Sequence, residues 1–548
     1  MDIVFFPVMV LAVLAPAALF WRRHELPEAL ALGALVSLAG WSSIAFGRFL
    51  IMLPASSPRA VGLIALALSA ATASGVGFLL MRRARPHVDL PEPNRSRVLA
   101  VIAGAALLAV GLEAAVPHFG IANLYYDWWE HFDLAGFYST AGELSRHYQD
   151  GYTVTSRTPV FNLLTSLGLT FFGDRFTIFQ LGTAALAWLW VLPAILLARR
   201  FLRERALELV ALLALSPLLL FATTYGWPKG LVAFFALLSL DRFFVLREKA
   251  TVEPGVAAQF GLAAGLTLMT HEGFAGYLLP LFGLLLWDCL RSRARFTGLL
   301  TAGAVALLVA LPWYAWAASQ YGLRGGLIGY PEPGYGGPLL WLLDHLLILV
   351  SSAVPITVLF HAYGDNLLQQ VFVAYLRTAI GLLGVAFLLR LLARSLQRPA
   401  SSRAGVGPLM AFALAGILST TMLLNGWGNG WASAESVFIP AMVALLLVAL
   451  ARAPLPEGML ALGALECLVI LIAAIAYMWS PASAGEPNAR LAVIEQVRFL
   501  GQEAWPIGLT LCLAGVATSL YAVYGFRLPG NKKSPAPGGA RLLWFLKP

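Results

Sequence analysis

The sequence predicts an all-α integral membrane protein. Its charge content, its apolar runs and the placement of its arginines all point to that class. Only 12% of the 548 residues are charged and 59% are hydrophobic, with a mean hydropathy of +0.78, whereas soluble domains carry about 25% charged residues. The apolar residues gather in runs of about 20, the helix length that crosses a hydrocarbon core of about 30 Å. Arginines collect at the ends of those runs, where they anchor topology.

The first run, MDIVFFPVMVLAVLAPAALFWRR, has no basic segment before it and carries its arginines after it. It is therefore expected to be a retained first helix and not a cleaved signal. Apolar runs follow at 28–46, 59–81, 98–116, 176–198, 206–222, 230–246, 256–270, 274–290, 297–317, 368–392, 406–424, 436–451, 457–477 and 505–525. About 15 crossings result, which places the termini on opposite sides. With the N-terminus outside, most of the 37 lysines and arginines fall on the inner side, among them Arg82, Arg83, Arg199, Arg200, Arg203, Arg205 and Arg394. That is the positive-inside pattern of a multi-pass protein of the cytoplasmic (inner) membrane, with its C-terminal tail in the cytoplasm.

Two apolar stretches fit a crossing poorly. The run 159–173 is too short, and counting it as a span would invert the charge bias. The run 338–360 carries Asp344 beside His345. Both are read as interfacial or re-entrant helices on the outer side. Residues 1–97 then form an N-terminal three-helix extension. Residues 98–450 form a core with outer loops 117–175 and 318–367, and residues 451–548 supply the last helices and a basic tail.

Several function classes are excluded. Cys289, Cys467 and Cys512 lie far apart inside apolar runs, without the spacing of a disulfide framework or a metal knuckle. The net charge of +9 reflects topology anchors, so nucleic acid is not an expected partner. HEGFA (271–275) lacks the second histidine of HExxH, and no GxGxxG or GK[ST] loop is present. No cofactor is expected.

Every polar cluster of interest falls on the outer side. LYYDWWEHFD (124–133) gathers Asp127, Glu130, His131 and Asp133. The i, i+3, i+4 spacing puts Asp127, Glu130 and His131 on one helical face. Trp128, Trp129 and Phe132 are expected in the headgroup layer, with the helix lying on the membrane and its acidic face exposed. Such a carboxylate can take a proton from an attacking hydroxyl. Acids with a histidine can also bind a divalent ion, but no second spaced cluster completes a metal site.

Arg157, before Pro159, opposes the positive-inside trend and suits a phosphate; the bland alternative is a headgroup anchor. Lys229 follows Pro228 near the start of a helix, where the dipole also favours an anion. His271 and Glu272 cap a tight turn between apolar helices. Arg324 lies in a Gly/Pro-rich outer loop, and Glu435 ends a Trp/Gly/Asn loop.

This order of features resembles the polytopic GT-C glycosyltransferases, in particular the protein O-mannosyltransferase/aminoarabinose-transferase branch. The resemblance rests on DWWEHFDLAGFYSTAGEL, then RTPVFNLLTSLGLTFFGD, then RFTIFQLGTAALAWLWVLPAILLARR, with LPWYAWAASQYG later, and covers roughly residues 98–450. It implies a GT-C-like fold with interfacial helices in the outer loops. It also implies a polyprenyl-phosphate sugar donor and a lipid, glycan or protein acceptor outside the membrane. Asp127 or Asp133 matches the loop acid that would act as base. Asp133, Phe137 and Ala141 reproduce an acid–aromatic–small spacing. Glu130 belongs to the same catalytic stretch. Arg157, Lys229 and Arg324 would hold the donor phosphate, and His131, Trp128, His271, Glu272 and Glu435 would contact substrate. The sequence departs from the branch in having Thr158-Pro159 where a double proline is usual, and in its extra N-terminal helices. A transporter or lipid flippase, or an envelope polysaccharide polymerase or ligase, is the competing class. Against a transporter stand the absence of paired halves and the scarcity of ionisable residues within the runs.

Overall fold

The structure is a computed structural model. It describes residues 2–21, 24–53, 95–115, 127–141, 154–202, 206–216, 226–248, 252–292, 295–327, 406–423, 439–452 and 500–524, with a few isolated positions near 60–64 and 465–472. Among the described residues all regular structure is helical. Six helices among the described residues are long and apolar enough to cross a membrane: Leu26–Met52, Arg95–Ala115, Phe176–Leu202, Glu272–Arg291, Phe296–Leu323 and Gly501–Val523. The expected segments at 338–360, 368–392 and 457–477 lie wholly or mostly outside the described residues.

The N-terminal run forms α1 (Phe5–Leu14) and α2 (Ala17–Phe20), separated at Ala15 and Pro16. The break fits Pro16, whose ring cannot continue a helix that needs its N–H. α3 (Leu26–Met52) and α4 (Arg95–Ala115) follow. α5 (Asp127–Thr140) realises the helix expected from the acid-rich stretch. It stops at Ala141, whose φ of 51° lies in the left-handed region.

α6 (Val160–Phe172) starts behind Pro159 and ends at Gly173, where φ is +100° and glycine meets no steric penalty. Its 13 residues rise only about 20 Å at 1.5 Å each, short of the bilayer core. α6 is buried from Val160 to Leu169, while Phe171 and Phe172 emerge at its end.

The centre of the bundle is made by α7 (Phe176–Ala187), α8 (Val191–Leu202) and α10 (Lys229–Glu248), with α9 (Ala206–Ala214) between them in sequence. Nearly all of α10 is buried, because leucine, phenylalanine and alanine occupy every side of it. It lies so close to α7 that a Cβ on Gly230 would stand 2.2 Å from the Ala187 carbonyl oxygen. That approach seats Lys229 against the core. α11 (Pro254–Thr270) and α12 (Ala275–Arg291) flank this centre and are joined by a 3-10 turn, Glu272–Phe274. α13 (Phe296–Leu327) is broken at Gly322 (φ 73°, ψ 170°). α14 (Val406–Leu423), α15 (Ile439–Arg452) and α16 (Gly501–Tyr524) complete the described bundle.

α16 packs along α4 through small residues. Cβ atoms added at Gly111 or Gly508 would meet the facing helix within 3 Å, the close approach that membrane helices use when packing is their main source of attraction. Arg97 donates to the carbonyls of Ala522 and Val523 at the end of α16, satisfying acceptors that a helix C-terminus leaves open. Further along α4, Gln180 Nε2 donates to Glu113 (3.1 Å) while the Leu500 N–H donates to Gln180 Oε1 (2.9 Å). One buried amide thereby ties α4, α7 and the start of α16.

Candidate functional site at one end of the bundle

The start of α10, the turn after α11, the helix α5 and the entry to α6 meet at the same end of the bundle. Four of the stretches singled out by sequence supply this meeting point. Their residues, from 130 to 271, are far apart in the chain.

α5 delivers Glu130 and His131, but not in the expected setting. The acid-bearing face turns inward: Glu130 is 3% exposed, His131 4% and Trp128 0%. The exposed acidic face and the headgroup position of Trp128 are therefore corrected. Trp128 stacks at a tilt on Phe176 with ring centroids 4.9 Å apart. Phe132 packs edge-on against Phe176 and Phe179. The apolar face of α5 meets α7, so covering that face draws the polar residues of the same helix into protein as well. A buried carboxylate needs a partner. Arg157, just before α6, supplies one, its Nη2 donating to Glu130 Oε2 at 2.9 Å.

His131 Nδ1 lies 2.9 Å from Asn162 Oδ1 and its ring meets Phe161 edge-on. An amide carbonyl only accepts, so His131 carries its hydrogen on Nδ1 in this contact. Asn162 was not among the expected site residues. It is fully buried within an apolar run, where an amide is costly without a purpose, and that cost was the one signal in the sequence that would have marked it.

Lys229 is the first residue of α10, and the Val232 N–H donates to the Pro228 carbonyl just before it. The lysine is 5% exposed. Its Nζ lies 2.6 Å from His271 Nε2 and 5.9 Å from the centre of the Trp227 ring. His271 closes α11 in an extended conformation and caps the 3-10 turn, its Nδ1 accepting from the Gly273 N–H at 3.1 Å. Burial holds the His271 imidazole well below the ordinary histidine range, and the charges of Lys229, Arg157 and His131 push the same way. The same proximity brings Lys229, Arg157 and His131 around one imidazole.

The other expected residues stand as follows. Glu272 is half-buried in the turn beside His271, and Asp133 is half-buried on α5. Asp127 opens α5, and Arg324 follows the break at Gly322 in α13; neither side chain is among the described ones. Glu435 lies outside the described residues. Among the described residues no group of histidine, cysteine, aspartate or glutamate could hold a metal ion.

No family model matches the chain, and no curated protein matches it. Among solved structures it is similar to ArnT from Cupriavidus metallidurans. Bound to undecaprenyl phosphate, that protein is 14% identical, with a TM-score of 0.47 over 77% of this chain and 76% of its own. Its apo state gives 14% and 0.46 over 77% of each chain. The archaeal oligosaccharyltransferase AglB from Archaeoglobus fulgidus, in complex with an inhibitory peptide and a dolichol-phosphate, is 15% identical with a TM-score of 0.42. That match covers 76% of this chain and 59% of AglB.

Proposed function

We propose that this protein is a membrane-embedded glycosyltransferase that moves a sugar from a polyprenyl-phosphate donor to an acceptor at the outer face of the inner membrane. The observation that carries the reading is the convergence of Arg157, Lys229, His131 and His271 at one end of an apolar bundle. A prenyl tail is soluble only in lipid, so its phosphate must be met at the end of the helices, where these residues gather.

In this reading the phosphate lies between Arg157 and Lys229, at the N-terminus of α10, whose peptide dipoles also favour an anion. Glu130 orients the Arg157 guanidinium from below. The acceptor, whether lipid, glycan or protein, approaches from the outer side. Asp127 or Asp133 on α5 removes its hydroxyl proton as the oxygen attacks the anomeric carbon. The bond from that carbon to the phosphate oxygen breaks, and the charge that grows on the phosphate is held by the cations already in place. Arg324 and Glu435 are proposed to complete the donor and acceptor sides from the outer loops, with Trp128 and Glu272 supporting them.

The test is sugar transfer from radiolabelled polyprenyl-phosphate sugars in membranes that contain the protein. Labelled product is expected with the native chain and absent with Lys229→Ala. Solute transport by the purified protein in liposomes, with no transfer from any donor, would overturn the reading in favour of a transporter.

A further inference from the structure

We propose that Asn162 is a positioning residue: it holds the His131 ring by Nδ1, so that Nε2 is the nitrogen that donates to the donor phosphate. The assignment deepens the donor-phosphate reading above and rests on it.

Asn162 is the third residue of α6, fully buried in the apolar run PVFNLLTSLGL. Its Oδ1 lies 2.9 Å from His131 Nδ1, and its Nδ2 is buried without a hydrogen-bond partner. A half-paired amide in such a setting destabilises the fold relative to a leucine of the same size. Helix packing therefore gives no reason for an amide here, and its one side-chain hydrogen bond among the described residues leads to His131. A carbonyl oxygen only accepts, so His131 keeps a hydrogen on Nδ1 whether the ring is neutral or charged. Proton exchange is then confined to Nε2. Phe161 meets the ring edge-on with centroids 5.2 Å apart, and turning the ring over would set a carbon against the amide. Beside this contact, Arg157 holds Glu130. The entry to α6 thus grips two consecutive residues of α5, one by charge and one by an amide.

His131 stands among the groups proposed to meet the phosphate: with Lys229 and Arg157 it acts electrostatically on His271. The acids at this end among the described side chains are Glu130, which Arg157 engages, and Glu272 and Asp133, which are half-buried. α3 packs on α5 through Phe49 and adds the half-buried Arg48. A phosphate brought to this place favours the imidazolium. With its proton drawn from solvent, the Nε2–H then donates to a phosphate oxygen. The Nδ1–H stays on Asn162 throughout, so the ring needs no reorientation as charge grows on the phosphate. Phosphate is therefore bound best while the ring is charged. That contribution is lost as pH rises through the value the histidine takes in the complex.

Two measurements on the detergent-solubilised full chain test this. Nitrogen-15 NMR of histidine-labelled protein, with His131 assigned by its absence in His131→Gln, should show a hydrogen on Nδ1 in the native chain and lose that fixed form in Asn162→Leu. A native His131 with its hydrogen on Nε2 alone would overturn the positioning role. The second is calorimetric titration with undecaprenyl phosphate from about pH 7 to 9, above the second ionisation of a phosphate monoester near 6, with undecaprenol as the control lipid. The native chain should lose about tenfold in affinity across that range, and His131→Gln should lose the slope. Asn162→Leu should bind about tenfold more weakly at pH 7, with a shallower slope. Asn162→Asp, whose carboxylate favours the imidazolium, should still bind and carry the fall upward by about one pH unit. A native profile in both Asn162 variants would overturn the positioning role and leave the donor reading intact. Equal affinity of the native chain for undecaprenol and its phosphate would overturn the donor reading, and the positioning role with it.

Discussion

The two ends of α10 handle charge differently. At its far end, Arg242 engages Asp241, Glu28 and Gln259, while Arg200 engages Asp241 and Glu248. Arg247 and Arg295 share Asp288 nearby. At the near end, Lys229 meets the His271 imidazole, His131 meets an amide and Arg157 meets Glu130. Asp241 lies 12 positions after Lys229, or about 18 Å along the helix.

Guanidinium–carboxylate networks neutralise themselves and leave little to offer a ligand. Contacts between a cation and a neutral polar group can be exchanged for an anion at small cost. The far end ties helices together through such networks, and in the proposed reading the near end receives the donor phosphate.

Substitutions at the two ends should therefore separate stability from activity. The largest effect is expected at the far end. Asp241→Ala leaves buried Arg242 with Glu28 as its one remaining acid of the two, takes an acid from Arg200 as well, and should destabilise the folded protein by about 3 kcal/mol. The protein that remains folded in thermal-unfolding assays should keep its native KM for donor. A changed KM with unchanged stability would reverse the roles assigned to the two ends.

Next comes Arg157→Ala at the near end. Sugar transfer should fall by about 10²- to 10³-fold, the range for losing one preorganised charge-stabilising donor. Glu130 is then stranded in the interior, so stability should fall too. Adding Glu130→Gln should recover the stability and not the activity. Recovery of both would make Arg157 a structural partner only.

The smallest effect concerns pH. His271 is held below its ordinary value of 6.5, so below that pH the unfolded chain binds a proton that the native chain refuses. Stability should be level above about pH 6.5 and fall as pH drops toward the lowered native value, with a slope of at most about 1.4 kcal/mol per unit from this group. His271→Asn should remove that part of the slope. An unchanged profile in the variant would trace the slope to another group.

The resemblance in loop order and the fate of α5 show how far residues alone could be read. The helix over 127–140, the short helix after Pro159 and the runs that became α3, α4, α7–α8, α10 to α16 were legible, because helix period and span length are local properties of the chain. Placing Glu130 and His131 on one face was legible for the same reason. Their inward orientation was not. Periodicity tells which residues share a face and is silent on what covers it, and α6 with the residues just before it covers this one through Arg157, Phe161 and Asn162. Asn162 sat unnoticed in an apolar run because its partner is 31 positions away.

By itself, then, the sequence determined an all-helical membrane protein, since hydrophobic length is written residue by residue. Only tertiary structure decided which polar groups meet. The Lys229–His271 contact depends on α10 and the turn after α11 arriving at one point. Packing between distant helices sets that arrival, and the local pattern of neither segment contains it.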